Sequence, residues 1–488
     1  MAVVSPLLLL ALLAGGSSLI IPAAAANGED DGYTFVALSS LKPKDGACFG
    51  HRVNPPAQNG TWVPTSLMYG PCSGSGSATA SPSLAEVLRQ DQLRVDDILR
   101  RVSGNASDEK PNRRANSKWS PMTHASKVGG SLGRGSQDSI DPAATGGGGP
   151  PSGPPSRLPG VFQTLVVDTA SDVPWVQCVP CPVPPCHPQT DTVFDPTRSG
   201  SYAPIPCTSP ACTQLGPYAN GCVNNQCQYR VAYPDGSSSS GTYSTDLLTF
   251  NPTTAVPGFQ FGCSHSEQGS GSFDNTTAGI LALGRGPEAL VSQTKATYGS
   301  VFSYCNPPTP GYVGFFVLGA PNRVASRYVL TPMLSYPQAP TFYRVQLRAI
   351  TVNGQRLAGV PPAVLAPGTV LDSRTAITRL PPTAYQALHA AFRSSMAMYR
   401  SAPPQGSLDT CYDFTGVVTI RLPRIALVFD RNAVVELDPS GILFHDCLAF
   451  IPNTNDLQPA ILGNVQQQTI EVLYDIDGAA VGFRGDAC

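Results

Sequence analysis

The chain has 488 residues, of which 41% are hydrophobic, 8% aromatic and 13% charged, which excludes a disordered polyelectrolyte and a membrane bundle. Its 31 basic and 33 acidic residues leave a formal net charge of -2, so no global field exists to hold nucleic acid or an anionic membrane, and neither is expected as a partner. With 49 Pro and 47 Gly, turn-rich β structure is favoured over long helices, and the length suggests two or three domain-sized units.

In chain order, an apolar run from Leu7 to Leu13 and then small residues up to Ala26 have the pattern of a secretory signal over residues 1–26. No later stretch reaches the ~18 apolar residues that span a bilayer. A secreted protein, extracellular or vacuolar, is expected, and the sequons at Asn59, Asn105 and Asn275 are compatible with that route.

From Ser83 to Val102, Leu84, Val87, Leu88, Val95, Ile98, Leu99 and Val102 recur near the helical period, with Arg89, Arg94, Arg100 and Arg101 marking the other face. One amphipathic helix is predicted. It is either a small helical unit or a removable prosegment whose basic face covers an acidic cleft. Lys110 to Lys118 reads as a solvated linker face. The Gly/Ser/Pro-rich run from Gly129 to Pro155 reads as a flexible linker and processing region. Residues 27–155 are therefore expected to be prosegment and linker, with little fixed contact to the body except through the helix.

After residue 160, short runs rich in Val, Ile, Phe and Tyr, such as Phe162 to Val167, Gln228 to Tyr233, Phe342 to Val352 and Ile470 to Tyr474, alternate with turn clusters. They predict an all-β body of many short strands, with a helix near Pro382 to Met398. Residues 160–488 hold 17 Lys/Arg against 21 Asp/Glu, with Lys295 the only lysine. That mild acidity suits exposure to acid or proteases and disfavours DNA binding. Of 14 cysteines, Cys48 and Cys72 lie early and twelve lie from Cys178 to Cys488. An even count behind a secretory signal predicts up to six bridges in the C-terminal part. The rival reading is a metal site at Cys178, Cys181, Cys186 and His187, disfavoured because zinc sites need reduced thiols.

Two segments resemble each other. Leu165-Val166-Val167-Asp168-Thr169-Ala170-Ser171 and Val370-Leu371-Asp372-Ser373-Arg374-Thr375 both run an apolar strand into an Asp flanked by hydroxyl residues. Each is followed by an apolar-apolar-Gly stretch, Leu281-Ala282-Leu283-Gly284 and Ile461-Leu462-Gly463. The pair implies a duplicated lobe. Two Asp brought together by a pseudo-twofold form a dyad that shares one proton, so that one carboxylate activates water while the other protonates the scissile carbonyl. Such amide hydrolysis needs neither metal nor cofactor.

On these motifs the chain resembles the pepsin-like aspartic proteases, and in particular the plant nepenthesin-type branch. Further matches are Trp175 after the first motif, the twelve cysteines with an insertion over 178–227, a flap over 229–241 and Ile461-Leu462-Gly463-Asn464. The resemblance implies an all-β bilobal fold, with one lobe over 156–335 and the other over 336–488. It also implies a catalytic pair Asp168 and Asp372, dyad support from Thr169, Ser171, Ser373 and Thr375, and a flap and substrate-binding group of Tyr233, Trp175, Asp235 and Gly236. The expected protein is an endopeptidase made as a secreted zymogen. Its partners would be protein or peptide substrates and pepstatin-type inhibitors, and it would be a monomer.

Four departures bear on activity. Ala170 and Arg374 stand where the family has Gly in the Asp motifs, Pro234 stands where its flap has Gly, and the family's first strand is missing, with 155–160 in its place. Arg374 puts a cation beside two carboxylates, which favours their doubly ionised form. The alternative reading is therefore a catalytically inactive pepsin-fold binding protein, similar to inhibitors of cell-wall-degrading glycosidases.

Overall fold

The computed structural model describes residues 32–41, 61–67, 83–104, 125–133, 160–181, 186–251, 254–268, 277–309, 311–320 and 328–488. Along the chain come β1 (Tyr33–Ala37), β2 (Thr61–Leu67), α1 (Leu84–Val102), β3 (Ser126–Leu132), β4 (Val161–Asp168) and β5 (Trp175–Gln177), followed by further strands and the helix Pro382–Ser395. The signal-like segment, the three sequon asparagines, Cys48, Cys72 and Lys110 to Lys118 lie outside the described residues.

The fold is all-β and bilobal, and the duplication is visible in strand order. In the first lobe β4 runs parallel to Gly279–Ala282, that strand is antiparallel to β5, and β5 is parallel to the Gly262 to Ser264 stretch. In the second lobe Thr369–Leu371 runs parallel to Ala460–Leu462, which is antiparallel to Thr378–Leu380, itself parallel to Phe450–Pro452. Strands so placed are covered on both faces, so they read as near-continuous apolar runs; Leu165 to Asp168 and Thr369 to Leu371 are buried at every position. Each Asp therefore ends a rigid, fully packed strand.

The N-terminal segment is more tightly joined to the body than its composition suggests. β1 pairs with Thr419–Pro423 of the second lobe. β2 pairs with Gly314–Leu318 and with β3. β3 lies against β4 over six residue pairs, from Lys127 opposite Val166 to Leu132 opposite Val161. The expectation that only the helix of 27–155 makes fixed contact is thus corrected, and so is the missing first strand: residues 126–132 supply it, far upstream of residue 160. Gly129, expected in the linker, is inside this strand. A Cβ there would stand 2.3 Å from the ring of Phe162, so the bare glycine lets the aromatic ring lie across the neighbouring strand.

Because Val128 and Leu132 are both about 1% exposed, β3 is core. Leu132→Ala is expected to cost about 2–5 kcal/mol of stability by denaturant titration. Mass spectrometry of any acid-processed form should still find residues 126–132 bound to the body.

All twelve cysteines from Cys178 onward are paired, as Cys178–Cys263, Cys181–Cys186, Cys207–Cys222, Cys212–Cys227, Cys305–Cys488 and Cys411–Cys447. The sulfurs of the rival metal reading are thereby committed to disulfides, Cys178 with Cys263 and Cys181 with Cys186, and His187 sits against Glu267 at 2.5 Å.

Candidate active site

Asp168 and Asp372 are both fully buried at the meeting of the lobes. The Ser171 hydroxyl and the Ala170 amide donate to Asp168 at 2.7 and 2.9 Å. The Thr375 hydroxyl and amide donate to Asp372 at 2.6 and 2.8 Å. Across the pseudo-twofold, the Thr169 amide donates to Ser373 Oγ at 3.1 Å and the Ser373 amide donates to Thr169 Oγ1 at 3.0 Å. Ser373 Oγ in turn donates to the Val167 carbonyl at 3.0 Å. The four hydroxyl residues picked from the sequence are thus all brought to the dyad. Ser171 and Thr375 each orient one carboxylate, and Thr169 and Ser373 lock one loop to the other.

A single guanidinium spans both carboxylates. Arg94 of α1 donates from Nε and Nη2 to the two oxygens of Asp372, at 2.5 and 2.6 Å, and from Nη2 to Asp168 Oδ1 at 2.8 Å. Arg94 therefore lies on the buried face of the helix together with apolar residues, not on a separate face opposite them, and it meets the acidic groups that one reading of the basic residues expected. The signal was present in the spacing: Val87, Asp91, Arg94, Ile98 and Val102 fall on one stripe at steps of three and four, and all five are buried. Val95, Ile98, Leu99 and Val102 pack with Ala170, Tyr336 and Phe342, so the methyl that replaces the family's glycine at 170 is a contact for the helix. The helix nearly fills the cleft, leaving a void of about 60 Å³ beneath the flap beside Arg94, Ala170 and Tyr233.

Arg374 also reaches the dyad. Its Nη1 donates to Asp168 Oδ2 at 3.0 Å, and its guanidinium lies 5.9 Å from the centre of the Tyr233 ring. Burial alone would raise the Asp168 pKa, but Arg94 first and Arg374 second outweigh it and hold the carboxyl well below the usual range. A carboxylate whose value is depressed by docking favours the docked state fully above its undocked pKa, and that advantage is lost as pH falls toward the docked value. Hydrogen-exchange protection of the α1 amides is therefore expected to be flat near neutrality and to fall below about pH 4.

The flap hairpin carries Tyr233 against Trp175, whose indole N–H donates to the Tyr233 hydroxyl at 2.6 Å. The turn Tyr233 to Gly236 closes by the Gly236 amide to the Tyr233 carbonyl at 3.0 Å. Pro234 occupies the position where a fixed φ suits a turn and no amide is needed, and Gly236 takes the left-handed φ of 84° that follows. Pro234 is therefore compatible with the hairpin. Asp235 spends its carboxylate on the Ser237 amide and hydroxyl, at 2.8 and 2.6 Å. Asp235 and Gly236 build the turn, while Tyr233 of the hairpin is held to Trp175 of β5.

Sequence reasoning did not single out Asp172, which accepts from the Gly286 amide at 2.8 Å and the Thr341 hydroxyl at 2.6 Å. It anchors the first Asp loop to the chain that enters the second lobe. Nor did it single out Asn464, whose side-chain amide donates to the Ser373 carbonyl at 2.9 Å. Both lie within matched motifs, and only their partners reveal what they do.

Comparison with known proteins bears on the family and the fold. Residues 156–320 match a family model described as xylanase inhibitor N-terminal, and 342–485 match xylanase inhibitor C-terminal. An Arabidopsis thaliana aspartyl protease family protein is 35% identical over 94% of both chains. Aspartyl protease AED1 of the same plant is 35% identical over 94% of this chain and 92% of its own. Aspartic proteinase nepenthesin-2 of Nepenthes gracilis is 33% identical over 67% of this chain and 74% of its own. Among solved structures, edgp superposes with a TM-score of 0.57 at 16% identity, covering 88% of this chain and 96% of that one. Soybean basic 7S globulin gives 0.54 at 16%, covering 74% and 90%.

Proposed function

The chain belongs to the pepsin-like aspartyl protease family, in its nepenthesin-type branch, and from that premise we propose that it is an aspartic endopeptidase made as a secreted, acid-activated zymogen. The observation that carries this reading is the pair of buried carboxylates bridged by the one guanidinium of Arg94. Two groups that close must share charge: with the cation gone they hold one proton between them.

In the freed site a water between the carboxylates attacks the scissile carbonyl carbon. The ionised Asp takes the water's proton while the protonated Asp donates to the carbonyl oxygen, and the resulting diol collapses as a proton passes to the leaving amine. Arg374 touches Asp168 and not Asp372, which biases Asp168 to be the ionised member and leaves Asp372 to hold the proton. Ser171 and Thr375 keep each carboxylate aimed, and Tyr233 on its hairpin closes over an extended peptide.

Disulfides throughout the described body suit an oxidising compartment, extracellular or vacuolar, and no described helix is long and apolar enough to cross a membrane. A second reading, an inactive pepsin-fold inhibitor, is favoured by Arg374 and by the xylanase-inhibitor description of the matching family models. The deciding experiment is cleavage of a denatured protein by acid-treated secreted protein, with and without pepstatin. Pepstatin-sensitive cleavage that disappears in Asp372→Asn supports the peptidase. Its absence in wild type and in Arg374→Gly supports the inhibitor.

A further inference from the structure

One turn of α1 before Arg94, Asp91 is about 1% exposed and enters a preformed receptor on the second lobe. Its carboxylate accepts from the Ala376 amide at 2.6 Å, the Ile377 amide at 3.4 Å and Arg379 Nη2 at 2.8 Å. Arg379 is itself only 1% exposed, Asp91 is its ion-pair partner among the described residues, and its Nε has no hydrogen-bond partner. Arg379 also lines a cavity of about 750 Å³ between α1 and the 452–459 loop. Two amides and a guanidinium converging on one carboxylate form an anion receptor.

When α1 leaves the cleft, Asp91 leaves with Arg94. A buried cation with an unmet donor is costly to leave unpaired, so Arg379 retains its need for an anion in the open enzyme. Asp91 and Arg94 are three residues apart on a helix, about 4.5 Å of rise, and an extended peptide advances about 3.3 Å per residue. The receptor therefore lies one or two substrate residues from the dyad.

We propose that Arg379 with the Ala376 and Ile377 amides is a carboxylate-binding subsite, filled by Asp91 in the intact chain and by an acidic side chain of the substrate once α1 has gone. The substrate half rests on the peptidase reading; the receptor half does not.

Two measurements test the halves separately. In the full chain, Asp91→Ala empties the receptor, and acetate at about pH 6, where it is ionised, should raise the unfolding temperature of that variant by about 2 °C or more relative to chloride at equal ionic strength. Neither wild type nor Asp91→Ala combined with Arg379→Gln should respond; the double variant removes both charges and so avoids a lone buried ion. An equal response in all three, or none in Asp91→Ala, overturns the receptor.

In acid-processed protein acting on a peptide mixture, Asp and Glu should be enriched at one position within two residues of the cut. That enrichment should fall by about tenfold in Arg379→Gln, the scale of a charge-assisted hydrogen bond, and persist in part in Arg379→Lys. Cleavage without acidic enrichment, or enrichment unchanged in Arg379→Gln, overturns the subsite while leaving the peptidase standing. No cleavage by wild type or Arg374→Gly overturns the peptidase reading and the substrate half together, and the acetate result then decides the receptor alone.

Discussion

Replacing Arg94 with alanine should loosen α1 from the cleft, lowering protection of its amides against hydrogen exchange by roughly 100-fold or more, because removing one member of a buried ion cluster costs about 3–5 kcal/mol. The carboxylates left behind have an escape the guanidinium lacks: Asp168 and Asp372 can take up one shared proton, which limits the cost to the body while the helix loses its anchor. The apolar stripe remains, with Val87, Val95, Ile98 and Val102 buried, so some docking should persist. Arg94→Lys should fall between, since one ammonium cannot reproduce three contacts from a planar fork. Hydrogen exchange near neutral pH reads this without any need for activity. Protection unchanged in Arg94→Ala would show that apolar packing alone holds the helix.

The second large effect is expected at Arg374. With α1 in place Arg374 is 3.0 Å from Asp168, and where that contact outlasts the helix, a cation this close favours the ionised carboxylate by about one to three pKa units. Catalysis requires one proton on the pair, so the wild-type protein has to reach lower pH before the dyad is correctly charged. Arg374→Gly should move the activity optimum upward by about one unit or more and raise the cleavage rate between about pH 3 and 5 by about tenfold or more, each ~1.4 kcal/mol giving a factor of ten. Adding Asp372→Asn should abolish the gain. The measurement is the pH–rate profile of the three acid-processed proteins on one peptide. Superimposable profiles for wild type and Arg374→Gly would mean that Arg374 swings clear of Asp168 when substrate binds.

Much of the candidate site was legible because its chemistry is local. Asp168 and Asp372 stand at strand ends with their hydroxyls within three residues, and the repeat at a fixed offset announced the pseudo-twofold. The helix of α1 was legible from its period, with Ser83 as its cap. What escaped was non-local. β3 carries two adjacent glycines and sits far upstream of its partner β4, so its composition read as linker, and only the Phe162 ring lying over Gly129 explains why glycine is used there. Charge places Arg94 on a basic face opposite the apolar positions, one reading of which has it covering an acidic cleft, and does not single out Asp91 at all, although both lie on the buried helical stripe. Pro234 looked disruptive until the turn showed that no amide is required of it. In each case a residue's type was readable and its partner was not.

In the proposed zymogen, the strands that flank α1 set the kinetics of its removal. β2 precedes the helix and β3 follows it, and both are paired into the body. One cut within residues 68–82 leaves the helix joined to β3, and one cut within residues 105–124 leaves it joined to β2. After either cut the helix is still an intramolecular ligand at high effective concentration, which favours its reclosure over capture of a substrate from solution. The first proteolytic event is thus thermodynamically almost silent. Only the second converts reclosure into a bimolecular encounter that dilution defeats. Activation of such a chain should follow a sigmoidal time course with a lag, and a singly nicked species should accumulate that is covalently altered and functionally still closed.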